Sequence, residues 1–211
     1  MLLENTVTPW STLVADKTRI AGFMGNRGIL HDTTRSIVKR WTHKSWVCCA
    51  TSYKGIDRRP LFRTDPFRYS ELFFLDEATA YAAGHRPCNY CRREALVLFK
   101  TIWCAVNRTG VPPNSVQMSE IDTQLHSERV VRGGSKVRYT APMNSLPFGT
   151  MFEHDHSAYL IGKQAIYLWS ASGYHPAELA PASEVHVLTP ASVVASFSHG
   201  LKPQVHDSVS K

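Results

Sequence analysis

Apolar residues recur at helical spacing in two segments of the chain. The longer segment, REALVLFKTIWCAVNR, begins after Arg92, carries its apolar residues on one face and is followed by Gly110. The shorter segment, DEATAYAA, begins at Asp76, whose carboxylate can cap a helix, and stops at Gly84. A third, more polar helix is predicted from Ser119 through Arg129, with Ser119 as its cap.

Short apolar runs between turn signals predict strands elsewhere. The segment KSWVCCATS, residues 44–52, is rich in β-forming residues, and residues 53–68 carry turn signals that indicate an exposed hairpin or loop. After Pro142 the apolar runs are short and separated by turns, which predicts a small twisted sheet or partial barrel. Residues 190–197 are predicted to form a closing helix.

Composition favours a metal site over disulfides. Hydrophobic residues make up 43% of the chain, enough for a core. The apolar runs are too short to span a bilayer and the first residues lack a secretory signal, so we expect a cytoplasmic protein. Thiols stay reduced there, and five cysteines, an odd number, fit a disulfide framework poorly.

The positive charge is unevenly distributed. The net charge is +7, and residues 17–68 hold twelve Lys or Arg against three Asp, whereas residues after Ala141 are slightly acidic. A concentrated basic segment favours binding of a polyanion, with an ordinary solvated basic face as the alternative.

The strongest chemical signal is Cys88-Asn89-Tyr90-Cys91. Two thiolates on one tight turn can reach a single Zn²⁺ at about 2.3 Å. A redox pair would need a preceding strand in a βαβ unit, but here a helix and Gly84 come first. We therefore predict a bound Zn²⁺ in a structural role, with two unbound cysteines as the alternative.

These elements predict an α+β fold in which a zinc-knuckle N-terminal part with helices is followed by a small β-rich C-terminal part. We expect three units along the chain. They are a zinc-containing basic domain over residues 1–110, a helical connector with a loop over residues 111–141, and the β-rich part over residues 142–211.

The stretch FFLDEATAYAAGHRPCNYCRREA resembles the zinc half of the Ada-type metal-binding domain of bacterial DNA repair proteins. The match is a helix ending in AG, then RP, then C-x2-C, with His85 in place of the usual aromatic residue. Upstream, WVCC from Trp46 resembles the strand with the family's first cysteines, and RRP from Arg58 resembles its basic turn. The resemblance covers residues 46–94. The chain as a whole also resembles a set of bacterial proteins of similar length, a likeness that implies no function.

The upstream part of the chain departs from the family. The family binds zinc through four cysteines, the first two separated by three residues, whereas here Cys48 and Cys49 are adjacent and Ser52 and Tyr53 stand where a partner should fall. Neighbouring strand residues point to opposite faces, so we expect only one of the pair to join Cys88 and Cys91. The candidates for the fourth ligand are water, His31, His43 and His85.

The family also transfers a methyl group from a DNA phosphotriester to one zinc-bound cysteine. The resemblance makes Cys48 or Cys49 the candidate acceptor here, because metal coordination keeps a sulfur in its nucleophilic thiolate form. The broken cysteine pair and the lack of an alkyltransferase sequence of the Pro-Cys-His type argue against this activity.

Basic and aromatic residues alternate around the cysteines. Guanidinium groups suit phosphates, and exposed rings can stack on unpaired bases. The basic side chains predicted to bind nucleic acid, with DNA favoured by the resemblance, are Arg40, Lys44, Arg58, Arg59, Arg92 and Arg93.

A possible catalytic cluster lies in the segment EIDTQLHSERV. On a helix, Asp122 and His126 share a face, so the carboxylate could orient the imidazole as a general base, or both could hold a divalent metal. Glu128 lies nearby, and Arg129 could stabilise developing charge. The alternative is a solvated amphipathic helix with Glu128 and Arg129 paired on its outer face.

Three functions follow, and the sequence leaves open whether the protein is an enzyme. The leading hypothesis is a zinc-stabilised DNA-binding protein that acts on or recognises damaged or modified DNA. The second is a nucleic-acid hydrolase, a nuclease or glycosylase that uses Asp122, His126 and Glu128. The third is a zinc-stapled protein-interaction module.

Overall fold

Most of the regular structure is β-sheet. The computed structural model describes residues 4–16, 21–58, 69–179 and 184–210, which contain fourteen strands and four α-helices. The strands are Glu4–Val7 (β1), Leu13–Ala15 (β2), Phe23–Asn26 (β3), Val47–Ala50 (β4), Ser52–Tyr53 (β5), Ile56–Asp57 (β6), Leu72–Phe74 (β7), Arg86–Pro87 (β8), Tyr139–Ala141 (β9), Met151–His154 (β10), Ser157–Ile161 (β11), Ile166–Ser170 (β12), Gly173–Ala177 (β13) and Val185–Val187 (β14). The helices are Glu77–Ala82 (α1), Arg93–Asn107 (α2), Met118–Arg129 (α3) and Ala191–Ser198 (α4), with 3-10 turns at Pro113–Ser115, Met143–Ser145 and Asp207–Ser210.

The predicted fold class is wrong. The N-terminal part is not a helical zinc knuckle but a six-stranded sheet in the order β2-β1-β7-β3-β4-β8, and the second sheet, β13-β12-β11-β10-β14-β9, is equally large. The N-terminal strands span two to four residues, and β7 is buried at every position. Such strands lack the apolar-polar alternation by which sequence patterns reveal a sheet.

Strand β4 divides two parts of the core. It pairs antiparallel with β3 and parallel with β8, and its alternating side chains face opposite sides of the sheet. Cys48 packs in a cluster with Leu72 and Phe74, whereas Cys49 packs on the other side with Met24 and Phe73. The adjacent cysteines therefore have separate environments.

Helix α1 joins the two large sheets into one packed structure. Every residue of α1 is buried. Ala80 packs on the cluster of the first sheet, and Ala78 and Ala82 pack on the cluster of the second. Small side chains on both faces permit this close approach. The predicted cap is confirmed, because Asp76 accepts a hydrogen bond from the Thr79 backbone N–H at 2.8 Å.

Helices α2, α3 and α4 enclose a third apolar cluster. It includes Phe99 and Trp103 from the predicted apolar stripe of α2 and Phe197 from α4. Helix α3 begins one residue before the predicted cap, because Gln117 and Glu120 form a capping box there. In the described part of the chain, no helix is long and apolar enough to cross a membrane.

Candidate metal centre

The sulfur atoms of Cys49, Cys88 and Cys91 converge at one edge of the first sheet. Their Sγ atoms all lie within 4.8 Å of one another. The parallel pairing of β4 with β8 brings them together, because the Cys88 N–H donates to the Cys48 carbonyl at 2.9 Å and thereby places the turn beside Cys49. These three residues could hold a metal ion.

Hydrogen-bond donors surround the sulfurs. The Tyr90 N–H donates to Cys88 Sγ at 3.4 Å, and Cys91 Sγ accepts from the Ala50 N–H at 3.4 Å and from Arg58 Nη1 at 3.6 Å. Donors of this kind stabilise thiolates and orient metal-bound sulfurs. The site is therefore prepared for sulfur in its charged form.

The three neighbouring thiols oppose one another's ionisation. Hydrogen bonds from the thiols of Cys49 and Cys91 lower the pKa of Cys88, and hydrogen bonding to Cys88 and Cys91 raises the pKa of Cys49. Like charges so close together repel, so the second and third protons leave only if positive charge compensates. A divalent metal ion held by the three sulfurs could supply that charge.

Cys48 lies outside the sulfur group. It is almost fully buried on the opposite face of β4, accepts from Arg92 Nη1 at 3.4 Å, and has its pKa raised by burial. Of the two adjacent cysteines only Cys49 lies with the knuckle cysteines, as the alternation of strand residues requires, and Cys48 does not join them.

The three candidate histidines lie elsewhere. His31 is buried with its Nδ1 atom 2.8 Å from Ser70 Oγ, and His85 accepts from Arg27 Nε at 3.1 Å. His43 is exposed. Within the described residues none of them joins the three sulfurs. The fourth ligand therefore remains unassigned.

An aromatic and basic rim, formed by Tyr53, Lys54, Arg58 and Tyr90, borders the sulfurs. Tyr53, from the β5–β6 hairpin, and Tyr90, from the knuckle, have ring centroids 5.1 Å apart, and Lys54 Nζ lies 5.6 and 5.4 Å from them. Tyr53, Lys54 and Tyr90 were not predicted as binding residues. The sequence did carry a signal for them, because Tyr53 and Lys54 follow Cys49 closely and Tyr90 lies inside the knuckle.

The predicted nucleic-acid residues have different surroundings in the part of the chain that the structure describes. Arg58 belongs to the rim, and Arg93 is exposed at the start of α2. Arg92 instead forms an ion pair with Glu77 at 2.6 Å, and its side chain is only 8% exposed. The two remaining described residues, Arg40 and Lys44, are exposed on the segment before β4, and Arg59 lies outside the described residues.

The residues of the predicted catalytic cluster have structural partners. Both oxygens of Asp122 accept from Arg86 at 2.8 Å, and both side chains are less than a tenth exposed. Glu128 accepts from the Ser192 N–H and hydroxyl at the start of α4. These contacts join α3 to β8 and α4, and the hydrolase hypothesis stays a prediction.

Arg129 is fully buried, and its hydrogen bonds connect the end of α3 to two other segments of the chain. It donates to the Gly84 carbonyl at 2.7 Å and to the Lys44 carbonyl at 2.6 Å, and one of its nitrogens lies 3.1 Å from His126 Nδ1. Gly84 has φ +80, and a Cβ atom there would lie 2.4 Å from Arg129 Cδ. The glycine after α1 is thus required both by its backbone conformation and by the crossing arginine.

Comparison with known proteins assigns no family. No family model matches the chain, no curated protein is significantly similar to it, and no solved structure matches it. The resemblance to Ada-type domains therefore rests on residues 46–94 of this sequence alone.

Proposed function

We propose that the protein binds zinc through Cys49, Cys88 and Cys91 and uses the rim beside the metal to bind DNA. The observation that carries the proposal is the convergence of three sulfurs within 4.8 Å, directly beside exposed aromatic and basic side chains. The resemblance to Ada-type domains favours DNA as the nucleic acid, and damaged or modified DNA as the form recognised.

Zinc suits this donor set better than other common metals. Thiolates select soft or borderline ions, and a C-x2-C turn that leads into a helix is typical of tetrahedral zinc sites. The N–H groups of Ala50 and Tyr90 supply the outer hydrogen bonds that such sulfurs receive. Three protein thiolates leave one tetrahedral position for a further residue, a water molecule or a ligand.

The rim offers both kinds of contact that an unpaired nucleic acid needs. Tyr90 is 61% exposed, so its ring can stack on a base, and Lys54 is exposed beside it to contact a phosphate. Arg58 Cζ lies 5.7 Å from the Tyr53 ring centroid while the guanidinium donates to Cys91 Sγ. Arg58 therefore links the metal-binding turn to the β5–β6 hairpin, so that the two present one continuous surface.

The metal part of the proposal is tested by zinc content. We expect one equivalent of zinc in the purified protein, and loss of tight binding after replacement of Cys49, Cys88 or Cys91 by alanine. Cys104→Ala is the matched control, because Cys104 is also a free, buried cysteine but lies in the core cluster of α2. Normal zinc content in all three ligand variants would refute the assignment.

The nucleic-acid part is tested by fluorescence anisotropy with single-stranded and duplex oligonucleotides over a salt series. We expect affinity to fall steeply with salt, and Tyr90→Leu to weaken single-strand binding by roughly 5- to 150-fold, which corresponds to about 1–3 kcal/mol of stacking. Tyr90→Phe keeps the ring and should bind like the wild type.

A charge control completes the test. Lys54→Gln should weaken binding, whereas Lys163→Gln removes the same charge from an exposed loop of the second sheet and should not. The rim would be refuted as the binding surface if the zinc-loaded Tyr90→Leu and Lys54→Gln variants bound oligonucleotides as tightly as the wild type.

A further inference from the structure

A cavity of about 220 Å³ opens near the start of β4, between the N-terminal strands and the segment before β4. Three tryptophans and two arginines are among its lining residues. The residues on which the inference rests are Trp10, Arg27, Arg40, Trp41 and Trp46. Indole rings beside guanidinium groups suit a ligand that has both a flat apolar part and a negative charge.

Arg27 is a buried polar residue of the cavity lining. It is 2% exposed, and its Nε and Nη1 donate to His85 Nε2 at 3.1 Å and to the Ser11 carbonyl at 2.9 Å. Both acceptors are neutral, and Nη2 has no hydrogen-bond partner. An unsatisfied nitrogen on a buried cation is costly unless something else pairs with it.

Positive charges accumulate around Arg27. The guanidiniums of Arg27 and Arg129 lie on the Trp46 ring, with their Cζ atoms 4.1 and 3.9 Å from its centroid. Burial and the charge of Arg129 lower the pKa of Arg27 to about 9. The pKa of Lys136 is lowered to about 7, mainly by burial and further by the charges of Arg27 and Arg129.

The nearest carboxylate does not neutralise this cluster. Asp122 attracts Arg129, but both of its oxygens are already bonded to Arg86. His85 contributes no positive charge, since burial keeps its pKa well below the ordinary value. The folded chain thus holds more buried positive charge here than its described side chains compensate, and a bound anion would provide the balance.

We propose that this cavity binds one unpaired nucleotide, with its phosphate at Arg27 and Arg40 and its base against the half-buried rings of Trp10 and Trp41. The proposal rests on the proposed function and names the ligand class of a second site. Arg40 is exposed and uses Nη1 to donate to the Gly134 carbonyl, so its other nitrogens can reach a phosphate.

The first test measures tryptophan fluorescence and melting temperature of the zinc-loaded protein with a deoxynucleoside monophosphate. We expect fluorescence quenching and a raised melting temperature, with the nucleoside alone and inorganic phosphate alone each binding at least tenfold more weakly. Equal binding of the nucleoside would refute the role of the arginines. Equal binding of phosphate would refute the role of the rings, and no response of the wild type at millimolar nucleotide would refute the site.

The second test uses a matched pair of surface variants. Arg40→Gln should weaken nucleotide binding by roughly tenfold or more, since a charge-assisted hydrogen bond is lost. Lys39→Gln removes the neighbouring exposed charge, which does not line the cavity, and should bind normally. Arg27→Met should lose binding while the protein remains folded, as judged by its cooperative melting. Normal nucleotide affinity in Arg40→Gln and in folded Arg27→Met would overturn the proposal.

Oligonucleotide binding then distinguishes the source of the nucleotide. If Arg40→Gln also weakens single-stranded DNA binding, the nucleotide belongs to a strand; if it weakens only mononucleotide binding, the free nucleotide is the ligand. The proposals for the cavity and for the rim can be refuted separately. Suppose that Tyr90→Leu binds oligonucleotides more weakly but the wild type does not respond to the nucleotide. This result would refute the nucleotide site in the cavity and support the proposed function.

Discussion

Replacement of Cys49 by alanine should make the thermal stability of the protein independent of zinc, whereas replacement of Cys48 should not. The two residues are adjacent on β4, equally small and both buried. Only Cys49 lies with Cys88 and Cys91, because Cys48 faces the apolar cluster that contains Leu72. The pair therefore separates the loss of a ligand from the loss of a buried thiol.

The magnitudes follow from linkage. A ligand that binds only the folded state adds about 2.7 kcal/mol to the free energy of unfolding at a free concentration of 100 times its dissociation constant. For a chain of this length, 1 kcal/mol shifts the melting temperature by about 2–4 °C, so removal of zinc should lower it by roughly 5–11 °C. Cys48→Ala removes a buried sulfur and should cost roughly 1–2 kcal/mol with or without zinc.

Calorimetry or dye-based melting, with zinc and with a chelator, measures the difference for each protein. The wild type and Cys48→Ala should show the same zinc-dependent difference, although the variant melts several degrees lower. Cys49→Ala should show almost none. A full zinc-dependent difference in Cys49→Ala, or its loss in Cys48→Ala, would refute the assignment of the ligands to the two faces of β4.

Three further predictions concern the scaffold around the two sites. Asp122→Asn breaks the buried pair with Arg86 and should cost about 3–5 kcal/mol in urea denaturation, whereas an active-site role alone would leave stability unchanged. Because burial lowers the pKa of His85 well below its ordinary value, the unfolded chain takes up a proton that the folded chain does not as pH falls below about 6.5. The free energy of unfolding should therefore fall by up to about 1.4 kcal/mol per pH unit from this group, and His85→Phe should have a shallower dependence on pH if the assignment is correct. Gly84→Ala should cost several kcal/mol, but Gly110→Ala only about 1–2 kcal/mol; both glycines have φ +80, and only Gly84 has side-chain atoms within 4 Å of an added Cβ. Equal losses in the two glycine variants would show that backbone strain alone matters.

Local signals predicted the helices and the knuckle, because their determinants are neighbours in sequence. The Asp76 cap, the apolar stripe of α2 and the Cys88–Cys91 spacing each lie within a few residues. The first sheet depends instead on distant pairings of very short strands, such as β1 with β7. Sequence periodicity carries no information about such pairings.

The interpretation of α3 failed to anticipate its partners for the same reason. Asp122 and Glu128 have the residue types and spacing of a catalytic cluster, but their partners Arg86 and Ser192 lie 36 and 64 residues away in the sequence. A carboxylate near a histidine on a helix indicates a catalytic pair only if neither group is already held in an ion pair or hydrogen bond elsewhere. That condition depends on tertiary contacts and cannot be judged from spacing.

Strand β4 connects the two proposed sites. Trp46, immediately before it, lines the cavity, and Cys49, within it, belongs to the sulfur group. The Trp46 carbonyl accepts from the Arg86 N–H at 3.2 Å, and the Cys48 carbonyl accepts from the Cys88 N–H at 2.9 Å, so β8 follows β4 from one site to the other. A metal ion held by Cys49 on β4 and by the turn after β8 would fix these strands relative to each other. It would thereby also fix the ring on which Arg27 and Arg129 lie. The zinc centre can therefore be a scaffold for the cavity, even where its own sulfurs perform no chemistry.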